Sequence, residues 1–403
     1  MAGIAALAIA YVLSQFYRSF LAVLTPALTV ELGATKADLS AASGAYFIAF
    51  ALAQFGIGVA LDRYGPRRTA ALLLGASAGG GAFLFSAAVE PWMIIAAMGL
   101  FGIGCAPVLM SSYFIFARVY SPARFAVLAS WIVAFGTAGN VIGAAPLANA
   151  AEAFGWRPVM VALGIVTIAV AAALLLIVRD PQPSPDAPEA ADGSGFAGYV
   201  DLIRMRVLWP LIPLVALNYA AAAGIRGLWA GPYLAEVYGA DTIAIGDATF
   251  FMALSMVAGA FLYGPLDTLF GTRKWVSFVG NTVGVIVLLW LALNPAGGVA
   301  TTTASLVLIG LFGASFGLMM AHARAFLPPH LVGRGVTLMN FFSIGGVGLM
   351  QFATGWVVTA NTTSDEPTAA YSALFLFYAG VLAFSLIVYL SAKDAPPSKV
   401  AVA

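Results

Sequence analysis

Arg18 and Arg226 are the residues of this 403-residue chain whose chemistry asks most of their surroundings. Each stands in the middle of a long apolar stretch. A guanidinium is planar, stays charged at physiological pH, and can grip a carboxylate or phosphate with two parallel hydrogen bonds. At the centre of a bilayer such a charge costs about 2.5–3.5 kcal/mol on insertion scales. None of the 17 Asp and Glu falls well inside an apolar stretch to offset it. Two charges so placed call for an anion, and the simplest is a small organic one, a carboxylate or phosphate ester held between Arg18 and Arg226. The rival reading is that one arginine only ties down carbonyls or Asn and Gln oxygens. Helical spacing puts Gln15, three residues before Arg18, on its face, and Tyr219 and Trp229 on the face of Arg226. Asn140 and Asn340 are further amides in apolar surroundings, fitted to bridge helices or to meet the same ligand.

Other chemistry is thin. Met252 and Met256 share a helical face, and Met319, Met320 and His322 cluster further on. Soft donors suit Cu(I), so Met252, Met256 and His322 form an alternative metal pathway, although methionine is ordinary core filler. His322 itself reads as a helix-end histidine satisfied by carbonyls or water. The apolar stretches hold no paired carboxylates and no Ser/His/Asp set, so neither an enzyme nor a cofactor is expected. A single cysteine, Cys105, excludes an internal disulfide.

The elements that must position these residues follow from composition. Hydrophobic residues make up 62% of the chain and charged residues 9%, against about 25% charged in a soluble domain. A cytosolic enzyme and a secreted disulfide scaffold are excluded, and a net charge of +1 gives no nucleic-acid signal. A bilayer-crossing helix needs roughly 20 apolar residues. Twelve stretches qualify: 4–30, 40–61, 69–89, 91–116, 125–150, 158–178, 207–234, 248–266, 275–293, 300–322, 335–360 and 369–391. They are numbered here as spans one to twelve. The predicted fold class is an all-α membrane protein with the bilayer as its first partner. Fourteen of the 18 Lys and Arg fall on the side of the termini, and only Lys36 and Arg157 opposite. The positive-inside rule therefore puts both termini in the cytoplasm, which fits a bacterial inner membrane.

Residues 179–206 are the one long polar connection, rich in Pro, Gly and acids. They divide a first bundle, 1–178, from a second, 207–403. The halves repeat each other. Gly58, Asp62, Arg63, Gly65, Arg67 and Arg68 follow span two, and Gly264, Asp267, Gly271, Arg273 and Lys274 follow span eight. Ala117-Arg118 with Pro122 matches Ala323-Arg324 with Pro328, and Pro26 with Gly33 matches Pro232 with Gly239. Two repeats of six spans are the plan of secondary transporters, with the substrate near the midplane.

The stretch from Gly58 to Arg68 resembles the loop signature of the major facilitator superfamily, Gly-x3-Asp-Arg-x-Gly-x-Arg-Arg. The resemblance covers essentially the whole chain and extends to Gly155-Trp156-Arg157 before span six. It implies twelve helices in two pseudo-symmetric six-helix bundles that rock to expose the substrate alternately to either side. It implies that Asp62 is a gate latch, with Gly58 allowing close helix approach and Gly65 a tight turn. An arginine in span one eight residues before a proline, as Arg18 precedes Pro26, with a second in span seven, is similar to the organophosphate and organic-anion exchangers. The departures are Met98 where many members carry arginine, and Thr268 in place of the arginine after Asp267. The Gly139-x3-Gly143-x2-Pro146 pattern is only loosely similar to the glycine-proline motif of drug antiporters. Transport of a bulky amphipathic compound, a drug or riboflavin-like vitamin, is thus one alternative. Import of copper is the other, since copper importers carry Met-x3-Met pairs in helices seven and eight, yet span seven here lacks one. With no acid inside a span, exchange or uniport by a monomer is expected rather than proton symport, and Asp247 is the nearest candidate proton carrier.

Overall fold

The computed structural model describes residues 2–120, 122–181, 197–328, 331–362 and 366–396. Among them the chain is helical throughout and carries no strand. Nine helices are long and apolar enough to cross a bilayer, and two bent pairs raise the count to eleven. Eleven of the twelve expected spans are represented among them, span seven being broken into short pieces, and several bounds hold closely. Span four is the helix Pro91–Val119, span nine is Lys274–Leu293, and span twelve is Pro367–Tyr389.

The spans that carry the arginines are the irregular ones. Span one is two helices, Ala2–Tyr17 and Leu21–Leu32, bent by 49°. Arg18 sits in the break. Its neighbour Ser19 turns its hydroxyl back onto the Gln15 carbonyl at 3.2 Å, and the Ser19 and Phe20 N–H groups both bond Phe16 O. Serine back-bonding of this kind competes with the helix ladder and bends it. Further along, Pro26 has no N–H for Ala22 O, and the Thr25 hydroxyl caps that carbonyl at 2.8 Å.

Span seven is assembled from short pieces: Ile212–Leu217, a turn at Asn218–Tyr219, Ala220–Gly224, a π-helical turn Ile225–Trp229, and Ala230–Tyr238. Arg226 lies in the π turn. Such turns cluster at functional sites because they widen the helix and redirect side chains. Both pieces end on a left-handed glycine, Gly33 at φ 63° and Gly239 at φ 64°, so the repeat seen in sequence is a repeat of helix caps.

The chain packs as two compact units. The first contains the described residues of 1–187 together with Arg226–Phe250 and Gln351–Gly355. The second contains the described residues of 188–225, with Phe251–Met350 and Trp356 onward. The first unit thus takes the end of span seven, the start of span eight and a turn of span eleven. It is seamed by close approaches. A Cβ placed on Gly231 of span seven would collide with Ala22 O of span one, and one on Gly139 of span five with Val12 O. Small residues let membrane helices approach to this distance. Lys36 pairs with Glu236 at 2.6 Å along the same seam. Arg157 reaches the carbonyls of Ser86 and Ala88, at 2.9 and 2.7 Å, and Glu31 at 3.5 Å.

Candidate anion site

The helix break that holds Arg18 and the π turn that holds Arg226 lie together inside the first unit. A Cβ on Gly227 would lie 3.4 Å from Arg18 O, so the break of span one and the π turn of span seven touch. From there the two spans run side by side to Ala22 and Gly231. The Arg18 guanidinium stands 5.0 Å from the Phe50 ring centroid and beside the Tyr46 hydroxyl. Tyr46 is fully buried, and its hydroxyl donates to Ser14 O at 3.3 Å. Arg226 is 2% exposed and donates from Nη2 to Asn140 Oδ1 at 3.1 Å. From the sequence neither arginine had a partner in its span, and the structure corrects this for both: Arg18 meets Phe50 and Tyr46, and Arg226 meets Asn140. Asn140 is delivered by Gly139, whose missing side chain lets span five lie on span one.

Gln15, three residues before Arg18 in the chain, is 8% exposed. Its Nε2 donates to Tyr11 Oη at 3.0 Å, while Oε1 is buried with no hydrogen-bond partner among the described residues. Trp229 and Tyr219 lie elsewhere than expected. Trp229 is 1% exposed and its Nε1 donates to Gln351 Oε1 and Thr354 Oγ1 at 3.2 and 2.9 Å. The π turn breaks the 3.6-residue period on which its expected face depended. Gln351 then donates to Ser43 Oγ at 2.8 Å, so this chain of bonds ties spans seven, eleven and two. Tyr219 falls in the second unit, its ring 6.4 Å from Phe316. A turn and the π segment separate it from Arg226, so a shared face does not exist. Gln351 and Thr354 were missed. Their signal was present, a polar pair three residues apart within an apolar span.

The loop signature is built differently from expectation at several points. The side chain of Asp62 lies outside the described residues. Gly58 and Gly264 are not close-approach positions, since a Cβ at either would meet nothing within 4 Å. Gly65 and Gly271 do make turns, at φ 83° and 65°. Arg63 and Arg68 are exposed, and Arg67 is half-buried. In the second loop Asp267 is 8% exposed and takes Arg273 Nε at 3.0 Å. Thr268 donates to its other oxygen at 3.1 Å. The arginine missing after Asp267 is therefore supplied six residues later from the same loop.

A fourth repeat emerges only in three dimensions. Asp180, after span six, accepts the Arg67 N–H at 2.9 Å at the start of span three. Asp394, after span twelve, accepts the N–H of Lys274 at 3.0 Å and of Arg273 at 3.3 Å at the start of span nine. Each carboxylate caps the third helix of its own half, where the helix dipole favours negative charge. Arg179-Asp180 and Lys393-Asp394 were the legible signal. Partial burial pushes the Asp394 carboxyl up, but hydrogen bonds from Thr272 and from the N–H of Lys274, Ala395 and Arg273 outweigh it and hold it below its ordinary 3.8. A depressed folded-state pKa contributes stability that is present above the unfolded value and lost as pH falls through the folded one. Acidifying purified protein from pH 5 to pH 3 should therefore lower its melting temperature more than it lowers that of Asp394→Asn. Parallel curves for the two proteins would remove Asp394 from the account.

His322 is fully buried, with Nδ1 2.7 Å from Tyr389 Oη and Nε2 2.9 Å from Lys393 O. Both nitrogens are engaged within the second unit. Met252 is buried and Met256 half-buried on span eight. Among the described residues no group of three or more His, Cys, Asp or Glu side chains is disposed to hold a metal ion.

An all-helical chain of bilayer-length spans, repeated as two halves with broken helices at its charged centre, is the architecture of a secondary transporter. The sequence profile of the Major Facilitator Superfamily matches residues 7–230 and again 214–402, and the chain belongs to that family. It is 24% identical over 414 residues to the membrane sensor protein UhpC of Salmonella typhimurium, covering 95% of this chain and 90% of that protein. It is 25% identical over 399 residues to a probable L-galactonate transporter of Escherichia coli K12, covering 90% and 78%. Among solved structures it is similar to a bacterial homolog of the human lysosomal transporter Spinster in an inward-facing, unoccupied conformation, with a TM-score of 0.78, 18% identity and 98% of each chain covered. The nucleoside transporter NupG gives a TM-score of 0.77 at 15% identity, covering 98% of this chain and 100% of that one. These likenesses place the chain among multi-pass membrane transporters with the major facilitator fold.

Proposed function

We propose that the chain carries a small hydroxylated organic anion, a carboxylate or phosphate ester, by alternating access, in exchange or by uniport. The observation that carries this reading is the contact between the interruptions of spans one and seven, which hold Arg18 and Arg226, inside one compact unit. Asn140 orients the second guanidinium by accepting from its Nη2. The buried Gln15 Oε1 is an acceptor suited to a substrate hydroxyl, and an L-galactonate-like acid offers several. The similarity to a probable L-galactonate transporter supports the same class of cargo. Copper is disfavoured because both His322 nitrogens are engaged and two guanidiniums would repel a cation. The six-span halves on either side of residues 179–206, the inner-membrane location with both termini cytoplasmic, and a monomeric state belong to the same proposal.

A melting-temperature screen of the purified protein tests it. Sugar acids, dicarboxylates, phosphate esters, riboflavin and Cu(I) are compared at millimolar concentration. A ligand at about 100 times its Kd should stabilise the folded state by about 2.7 kcal/mol, a shift of several degrees. The expected result is a shift from at least one hydroxylated anion. Stabilisation by Cu(I) or riboflavin with none from any anion would reverse the reading.

A further inference from the structure

Three side chains deep in the second unit take no part in the anion site. Asn218 lies at the turn of span seven, Asn281 in span nine, and Ser315 where span ten is interrupted between Val299–Phe312 and Phe316–Arg324. They are 1%, 1% and 0% exposed. Asn218 Nδ2 and Asn281 Nδ2 both donate to Ser315 Oγ at 3.1 Å, which fills the two lone pairs of that oxygen. Asn281 Nδ2 also donates to Ser277 O at 2.8 Å. The Ser315 hydroxyl hydrogen is left to give. Asn218 Oδ1 is buried with no partner among the described residues. A small cavity adjoins the cluster, lined by Asn218, Asn281, Ala222, Gly313 and Leu382 among others, with about 10 Å3 open to the centre of a water-sized sphere. That is about the volume one water needs.

We propose that this cluster is a binding site for a single water molecule that joins the interruptions of spans seven and ten into one hinge. The water takes the Ser315 hydrogen and gives one of its own to Asn218 Oδ1. A neutral molecule that both donates and accepts fits this arrangement. A cation would face the amide N–H groups and the hydroxyl hydrogen that converge there. The repeat shows that the trio is no requirement of the fold. Asn218 lies eight residues before Arg226, as Ala10 lies before Arg18. Asn281 lies eight after Arg273, as Gly75 lies after Arg67. Ser315 lies nine before Arg324, as Leu109 lies before Arg118. The first half fills the same positions with Ala, Gly and Leu. Buried polar groups are dearer than apolar packing, so their use in the second half alone points to something apolar packing does not provide. Water-mediated bonds exchange partners as two helix breaks move, whereas interlocked side chains must be repacked.

The test uses the full-length protein, Asn218→Leu, which removes the acceptor and fills the cavity, and Ser315→Ala, which removes only the hydroxyl. A density map that resolves waters should show one peak within hydrogen-bond distance of Asn218 Oδ1 and Ser315 Oγ in the native protein and none in either variant. Asn218→Leu should melt no lower than the native protein. Hydrogen–deuterium exchange in peptides spanning 212–225 and 313–324 should slow at least threefold in that variant, with other peptides unchanged. Three outcomes overturn the proposal: no peak in the native map, a lowered melting temperature together with unslowed exchange in Asn218→Leu, or a melting shift with Na+ over K+ that is lost in Ser315→Ala, which would make the occupant a cation. None of these readouts involves the anion, so the proposal stands or falls apart from the one made for Arg18 and Arg226.

Discussion

Arg18→Lys should fold, melt near the native temperature and lose most transport. The side chain stands at a helix break, half-buried, over Phe50 and beside the Tyr46 hydroxyl. Lysine keeps the charge and most of the stem, so the protein has no strong reason to unfold. It loses the planar fork that holds two oxygens at once. A hydrogen bond to a charged group is worth about 1.5–3 kcal/mol, and each 1.4 kcal/mol is about tenfold in affinity. Removing one arm of a bidentate grip should therefore weaken anion binding by about ten- to a hundredfold. The measurement is the anion-induced melting shift and uptake into proteoliposomes, side by side. A variant with native uptake of the identified anion would take Arg18 out of the site.

Gly231→Val should leave binding measurable but stall the cycle. The side chain would be driven against the Ala22 carbonyl and the Thr25 hydroxyl, where span seven lies on span one. Both obstacles belong to packed helix rather than to a flexible tip, so relaxation is small. Overpacking of this kind costs about 1–3 kcal/mol. The cost is borne only in conformations with this seam closed, so the population shifts away from them by about five- to a hundredfold. Transport should fall at least tenfold. With Cys105→Ser as background, a cysteine at Ser43 reports opening beside the seam, since Ser43 is buried and receives Gln351 Nε2, which Trp229 of span seven bonds in turn. Impermeant maleimide added from outside should label it faster in Gly231→Val than in Gly231. Equal labelling with equal transport would mean that the seam tolerates the branch.

How much was readable beforehand depended on whether a feature is local. Runs of apolar residues separated by charge and glycine define spans, and those bounds survive because the cost of burying a backbone polar group in lipid leaves little choice. The two arginines were visible for the same reason, as charges where charge is costly. What stayed hidden depends on backbone irregularity. Ser19 bending span one, and the π turn around Arg226, change which faces point together, so Trp229 turns toward Gln351. Glycines were misjudged for a related reason. Gly58 and Gly264 carry a family signature yet touch nothing nearby, while Gly139, of a pattern only loosely similar to a known motif, and Gly231, of none, sit where helix backbones cross closely. Partner identity is a property of pairs of helices, and a single helix's spelling does not contain it.

The boundary between the two units falls within the π turn of span seven, between Ile225 and Arg226. One of the two mid-span arginines is thus encoded in the second repeat but housed with the first unit. A chain severed anywhere in residues 182–196 would give two polypeptides with one mid-span arginine each, Arg18 and Arg226. Neither could grip an anion from both sides by itself. The duplication visible in the sequence therefore did not produce two small carriers joined for convenience. It produced two unequal halves, the second lending its mid-span arginine to the unit built on the first.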